Sequence, residues 1–180
     1  MLIVKKFGGT SVADKEGIFH AAKRCMEDYH KGNDVVVVLS AMGSHMEEMM
    51  EQAKTLNPNP SARDMDMLLS IGAQMTAAFM AMAFETMDVP AVSLNAYQAK
   101  IRTTNEHGNA RITEIETDRI MDELKQRKIV IVTGGQGVLG NHDITTLNGG
   151  ADATAMALAE ALGADVCEID AEEESVETAA

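Results

Sequence analysis

The stretch DVVVVLS, Asp34 to Ser40, decides the fold class of this chain. It is a continuous run of mostly β-branched apolar residues, whereas a strand with one face in water alternates apolar and polar positions. Such a run is typical of a strand that is buried on both faces of a parallel sheet. A second run, KIVIVTGG from Lys128 to Gly135, has the same character. Both runs therefore predict strands inside a parallel sheet that is covered by helices.

Outward from these two runs, strands and helices alternate along the chain. Further strands are predicted at Leu2–Phe7, in VPAVSLN (89–95) and in DVCEI (165–169). Apolar residues at helical spacing predict helices over residues 14–31, 44–56, 61–87, 118–127 and 151–162. Residues 97–112 are polar, and we expect an irregular loop there. The pattern predicts an α/β fold, a three-layer αβα sandwich with a mainly parallel sheet.

We expect one domain over residues 1–170 and an acidic, solvated tail over residues 171–180. The chain carries 28 acidic and 15 basic residues, a net charge of -13, which disfavours nucleic acid and anionic membranes as partners. The apolar run Val35 to Leu39 is too short to cross a bilayer. Without a recognisable signal peptide, we expect a cytoplasmic protein. Its two cysteines, Cys25 and Cys167, are expected to be buried and unpaired.

Glycine-rich loops end three predicted strands, in KFGGTS, LSAMGS and TGGQGVLG, and a fourth, LNGGADAT, precedes a helix. Ligands of open parallel sheets bind beyond the carboxyl ends of the strands. Glycine lets backbone N–H groups approach an anion, and a helix N-terminus adds free donors and positive charge. One such loop alone is a plain turn, but four at one edge favour a phosphate-binding site. The candidate phosphate-binding residues are Gly8, Gly9, Thr10, Ser40, Gly43, Gly149 and Gly150.

Lys6 is the candidate cation of this site, because it lies in an otherwise apolar strand directly before the glycines. A buried lysine is costly unless it finds an anion or reaches water. Side chains alternate along a strand, so Lys5 must point to the opposite face. Asp152 lies in the first turn of the last helix, where it either complements the helix dipole or orients a lysine or a magnesium ion.

Six segments, taken together, resemble a known family. VKKFGGTSVAD, VVVVLSAMG, VPAVSLNA, GNARI, IVIVTGGQG and DITTLNGGADATAMALA are similar to the N-terminal catalytic part of aspartate kinase, in the amino acid kinase family. The resemblance implies that the γ-phosphoryl group of ATP, with Mg²⁺, is transferred to the side-chain carboxylate of L-aspartate. It also implies a homodimer that pairs through a long helix such as residues 61–87.

The same resemblance assigns roles to individual residues. It implies that Lys6 holds phosphates beside Gly8 and Gly9, that Ser40 and Gly43 form a second phosphate loop, and that Asp152 orients the catalytic lysine. Thr146, in the matching DITTLNGG segment, becomes a candidate substrate-binding residue.

The chain departs from the family at positions that bind the substrate. The family's GEQ or GER motif, whose glutamate recognises the substrate amine, reads Gly72-Ala73-Gln74 here. TTLGRGGSDTTA becomes TTLNGGADATA, which removes an arginine and places alanine at Ala151 and Ala153. DAEEESVETAA replaces YTDVDGVYTADPR, and the chain ends before the remaining nucleotide half and the regulatory ACT domains. These departures predict impaired kinase activity. The alternative is a non-catalytic pseudokinase, or an anion-binding or assembly module with the same fold.

Overall fold

The computed structural model describes residues 1–170, so the predicted acidic tail lies outside the described residues. Helices and strands alternate over most of this length. Their order is β1 (Leu2–Phe7), α1 (Lys15–His30), β2 (Asp34–Leu39), α2 (His45–Leu56), α3 (Ala62–Thr86), β3 (Ala91–Leu94), β4 (Ile101–Thr103), β5 (Ile112–Ile115), α4 (Asp118–Lys125), β6 (Ile129–Thr133), β7 (Gln136–Val138), β8 (Ile144–Thr146), α5 (Gly150–Leu162) and β9 (Val166–Ile169).

The main sheet has five strands in the order β3-β6-β2-β1-β9, and every neighbouring pair is parallel. The two apolar runs form β2 and β6, which lie inside the sheet, as predicted. Side chains such as Val37 and Ile131 pack on one face with α1 and α3, in one core cluster. Val36 and Val130 pack on the other face with α4 and α5, in a second cluster. The three-layer αβα sandwich is therefore confirmed.

A second sheet of four short strands, in the order β5-β4-β7-β8, stands beside the main one. It is mixed, since β4 pairs antiparallel with β5 but parallel with β7. The expectation of an irregular loop over residues 97–112 was wrong, because β4 and the start of β5 lie there. These strands have three or four residues each and include polar side chains. Segments this short show no usable periodicity, and their pairing depends on distant parts of the chain.

Helix α3 is, among the described residues, the one helix long and apolar enough to span a bilayer by length and composition. A core helix passes the same test, and α3 packs against α1, α2 and the strands of both sheets. Its buried residues are Asp66, Ser70, Gly72, Ala73, Thr76, Ala77, Met80, Ala83 and Phe84. The outward side of α3 is also apolar, with Met67, Ile71, Phe79 and Met82 exposed.

The two cysteines differ in their surroundings. Cys25 lies on the buried face of α1 and is completely buried, and this burial raises the pKa of its thiol to about 12. Cys167 is exposed, so the expectation that both cysteines are buried was wrong for this one. It lies on β9, an edge strand that has β1 as its one partner within residues 1–170. The apolar pattern of DVCEI indicates a strand but not its position at an edge.

Candidate functional site

A cavity of about 340 Å³ opens at the carboxyl ends of the central parallel strands. One wall is made of the loops that follow β1, β2 and β6, together with the first residues of α5. The facing wall is made of α3, β7 and β8, and α2 covers one side. The lining residues are Gly9, Ser40, Ala41, Gly43, Met46, Glu47, Leu69, Ser70, Ala73, Gly134, Gly135, Gln136, Thr146, Leu147, Gly150 and Ala151.

The loops of the first wall interlock through backbone contacts that need glycine. Gly43 N donates to Gly9 O at 3.0 Å, and a Cβ on Gly9 would lie 2.9 Å from Ala41 O. Gly134 N donates to the carbonyl oxygen at the end of β2, and a Cβ on Gly134 would lie 2.5 Å from Ala151 Cβ. The absence of side chains there brings three loop backbones together around one space, as an anion site requires.

The start of α5 also faces this space. Its N-cap, Gly149, has φ 85°, a left-handed conformation that glycine adopts without strain. Gly150 N donates to Leu147 O and Ala153 N to Gly149 O. The N–H groups of the first helical turn have no partner within a helix. Those of Ala151 and Asp152 therefore supply donors and the positive end of the helix dipole.

The two lysines of β1 point to opposite faces of the sheet, as strand alternation requires. Lys6 points toward α5, and its Nζ lies 2.9 Å from Asp152 Oδ1. Only 9% of the Lys6 side chain is exposed, whereas 51% of the Asp152 side chain is exposed. Asp152 belongs to the first turn of the helix that borders the cavity. The buried ammonium of Lys6, paired with the solvent-accessible carboxylate of Asp152, therefore lies behind the glycine loops.

Lys5, by contrast, is held within an ion-pair cluster on the α1 side. Its Nζ lies 2.7 Å from Asp28 Oδ2 and 2.8 Å from Glu168 Oε2. Burial alone would lower the pKa of Lys5, but the hydrogen bonds to these two carboxylates outweigh it and raise the pKa. The structure therefore assigns Lys5 to packing between β1, α1 and β9.

Most of the predicted site residues come together at this cavity. Gly9, Ser40, Gly43, Thr146 and Gly150 line it directly. Gly8 and Gly149 are the chain neighbours of two of these residues and belong to the same loops.

Thr10 lies elsewhere, in a separate cavity of about 320 Å³ that also contains Ser11, Arg24 and Asp170. Ser11 Oγ and Arg24 Nη1 donate to the Asp170 carboxylate at 2.7 and 3.0 Å. Burial would raise the pKa of Asp170, but these two hydrogen bonds lower it. In this second cavity the Asp170 carboxylate is therefore already held by Ser11 and Arg24.

Sequence reasoning missed a buried carboxylate behind the facing wall. Asp66, on α3, is 1% exposed and accepts a hydrogen bond from Thr146 Oγ1 at 2.6 Å. Its other oxygen accepts from Gly108 N at 3.0 Å and lies 2.8 Å from His107 Nδ1. One signal was present: helical spacing places Asp66 on the same face as Ser70 and the buried alanines of α3. Its partners are at least 41 residues away in sequence, which no local pattern reveals.

Few side chains at this site could coordinate a magnesium ion. Within residues 1–170, no group of three or more histidine, cysteine or acidic side chains is close enough to hold a metal ion. Mg²⁺ bound together with phosphates needs only one or two carboxylates and keeps several waters. Asp152, half-exposed beside the cavity, fits that requirement.

The fold and site define the chain as an α/β protein whose glycine-lined, lysine-flanked cavity suits an anionic ligand. The model of the amino acid kinase family matches residues 1–173, and the chain belongs to this family. Aspartokinase 2 of Bacillus subtilis is 51% identical over 169 residues, which cover 93% of this chain and 41% of that protein.

Solved structures agree with this relationship. The aspartate kinase from Synechocystis superposes with a TM-score of 0.80 at 44% identity, over 94% of this chain and 28% of that one. E. coli aspartokinase III in complex with lysine and aspartate superposes with a TM-score of 0.70 at 25% identity, over 92% of this chain and 48% of that one. The chain thus spans less than half the length of these relatives.

Proposed function

We propose that this chain carries the phosphate-handling part of an aspartate kinase-type phosphotransferase that acts in the cytoplasm. The reaction transfers the γ-phosphoryl group of ATP to the side-chain carboxylate of L-aspartate. One observation carries the proposal: the buried Lys6, paired with the half-exposed Asp152, lies beside a glycine-lined cavity at the carboxyl ends of β1, β2 and β6. Membership of the amino acid kinase family and the similarity to aspartokinases support it.

In this reaction a carboxylate oxygen of aspartate forms a bond to the γ-phosphorus while the bond to the β-phosphate oxygen breaks. ADP leaves with that electron pair, and no proton needs to move at the acceptor. Catalysis then consists of positioning and charge neutralisation. Lys6 supplies a fixed positive charge, Asp152 orients its ammonium, and the glycine loops supply N–H donors. Mg²⁺ would neutralise phosphate charge further, with Asp152 as its available carboxylate.

The lining of the cavity offers few charged partners to a substrate. Ala73 and Ala151 line the cavity, and among its described lining residues Glu47 is the one charged side chain. A charged ligand group that loses its partner in a desolvated site costs about 1–3 kcal/mol or more. We therefore propose that phosphoryl transfer to aspartate is slow in this chain. The same observation favours the second candidate, a non-catalytic module that retains the phosphate loops for an anion.

Calorimetric titration of the purified chain with Mg-ATP, with and without L-aspartate, tests these proposals. We expect nucleotide binding at millimolar concentration or below, because the glycine loops and Lys6 are in place. A hydroxamate assay for 4-phospho-L-aspartate then separates the two candidates. Binding with product formation supports the kinase, and binding without product supports the non-catalytic module. An absence of heat at millimolar Mg-ATP contradicts both.

We further propose that the chain forms a homodimer through the outward side of α3. Four large apolar residues are exposed along this helix, at spacings that place them on one side: Met67, Ile71, Phe79 and Met82.

Ile71→Glu would place a charge in the centre of such an interface and should raise the dimer dissociation constant at least tenfold. Leu56→Glu, at a 90% exposed apolar residue that ends α2, is the matched control. Sedimentation or light scattering reads the mass, and equal behaviour of both variants would refute this interface.

A further inference from the structure

The two walls of the cavity differ in hydrogen-bonding character. The glycine wall presents backbone N–H groups, and Lys6 lies behind it as a cation. The facing wall of α3 and β8 contributes the hydroxyls of Ser70 and Thr146. A hydroxyl has one proton to donate and two lone pairs that accept. The direction of each proton therefore decides what the facing wall offers to a ligand.

Both hydroxyl protons of the facing wall are used inside the protein. Ser70 Oγ donates to Met67 O at 2.8 Å. Thr146 Oγ1 donates to Asp66 Oδ1 at 2.6 Å. With their protons committed, these two oxygens can offer only lone pairs to the cavity. The third polar side chain of this wall, Gln136 on β7, has its amide Nε2 donating to Ser70 O at 3.0 Å. At its two hydroxyls the wall therefore accepts hydrogen bonds and favours a ligand group rich in N–H donors.

Asp66 fixes the direction of the Thr146 proton. An ionised carboxylate only accepts hydrogen bonds, so the hydroxyl that faces it must donate. Gly108 N and His107 Nδ1 hold the other carboxylate oxygen at 3.0 and 2.8 Å, which keeps Oδ1 turned toward Thr146. The carboxylate is 1% exposed, so water does not compete for it. Its negative charge also lies directly behind an oxygen that lines the cavity.

We propose that Asp66, acting through Thr146, makes this wall select ligands that carry a primary ammonium group. Asp66 is a positioning residue, and Thr146 makes the ligand contact. The inference rests on the proposed function and deepens it. The ammonium group of an amino acid donates hydrogen bonds to the facing wall, while its side-chain carboxylate faces the glycine loops. Asp66 and Thr146 then perform the task for which the family resemblance implies a glutamate at position 73, where this chain has Ala73.

The test compares L-aspartate with succinate, which has the same two carboxylates but no amine. NMR titration without nucleotide gives the dissociation constant of each ligand. We expect the wild-type chain to bind L-aspartate at least tenfold more tightly than succinate, the usual size of one charged hydrogen bond. In Asp66→Asn the amide donates to Thr146, turns the hydroxyl proton toward the cavity and reduces the preference to about one. Thr146→Val should have the same effect, and Thr146→Ser should keep the preference.

The ratio of the two dissociation constants is the decisive quantity, because a purely structural role of Asp66 would weaken both ligands equally. An unchanged ratio in both Asp66→Asn and Thr146→Val overturns the inference, and so does a wild-type chain without preference. If Asp66→Asn fails to fold, the half-buried Thr146 variants still measure the ratio. Mg-ATP titration of the same samples reads the proposed function separately. If the chain binds nucleotide but the variants leave the ratio of the two dissociation constants unchanged, the proposed function is retained and only the role of Asp66 is refuted.

Discussion

Replacing Lys6 by methionine is expected to weaken Mg-ATP binding about ten- to a hundredfold, because a charged hydrogen bond contributes roughly 1.5–3 kcal/mol. The free energy of unfolding should change by less than about 1 kcal/mol. Methionine preserves the apolar stem that packs under α5. The carboxylate left behind, Asp152, is 51% exposed and returns to water at little cost. Calorimetric titration measures the first effect and urea unfolding the second.

Lys5→Met is the matched control, one residue away on the opposite face of the same strand. Here stability should fall by about 1–3 kcal/mol, because Asp28 is only 19% exposed and keeps an uncompensated charge. The raised pKa of Lys5 means that its contribution is complete below about pH 10 and is lost as the pH rises through that raised pKa. Mg-ATP binding should remain within about twofold. The assignment of Lys6 fails if both variants lose nucleotide equally or if neither does.

Gly134→Ala is expected to destabilise the fold by about 1–3 kcal/mol and to weaken Mg-ATP binding at the same time. The added Cβ would lie 2.5 Å from Ala151 Cβ and 3.0 Å from Leu39 O, so α5 has to move away from β2 and β6. That movement displaces Asp152 and the N–H donors at the start of α5. Thermal unfolding and nucleotide titration on the same sample measure the coupled loss.

Gly140→Ala provides the comparison, since a Cβ there meets no atom within 4 Å among the described residues. Its stability should stay within about 0.5 kcal/mol of the wild type. Adding Ala151→Gly to Gly134→Ala removes the closest contact and should recover part of the lost stability. Equal melting temperatures for Gly134→Ala and Gly140→Ala would show that the contact between β6 and α5 is not tight.

Much of this architecture was predictable because its signals are local. The valine-rich run over residues 34–40 predicts an interior strand by composition alone, and β2 lies inside the sheet. The helix predicted over residues 14–31 begins at Asp14, whose side chain accepts from Gly17 N at 2.8 Å and caps α1. The glycine loops and Lys6 were found in the same way. Parallel strands bring their carboxyl ends to one edge, so separate short motifs predict a shared site.

The sequence by itself determined the layers, the helix boundaries and the glycine wall, since periodicity, capping and glycine act within a few residues. Only the tertiary structure decided the second sheet, the edge position of Cys167 and the separate cavity of Thr10. It also decided that the carboxylate of Asp66 on α3 meets Thr146 on β8, a contact across 80 residues of sequence. Such contacts depend on how whole elements pack, so no local sequence pattern predicts them. Burial strengthens these hydrogen bonds, because the protein interior screens charges less than water does.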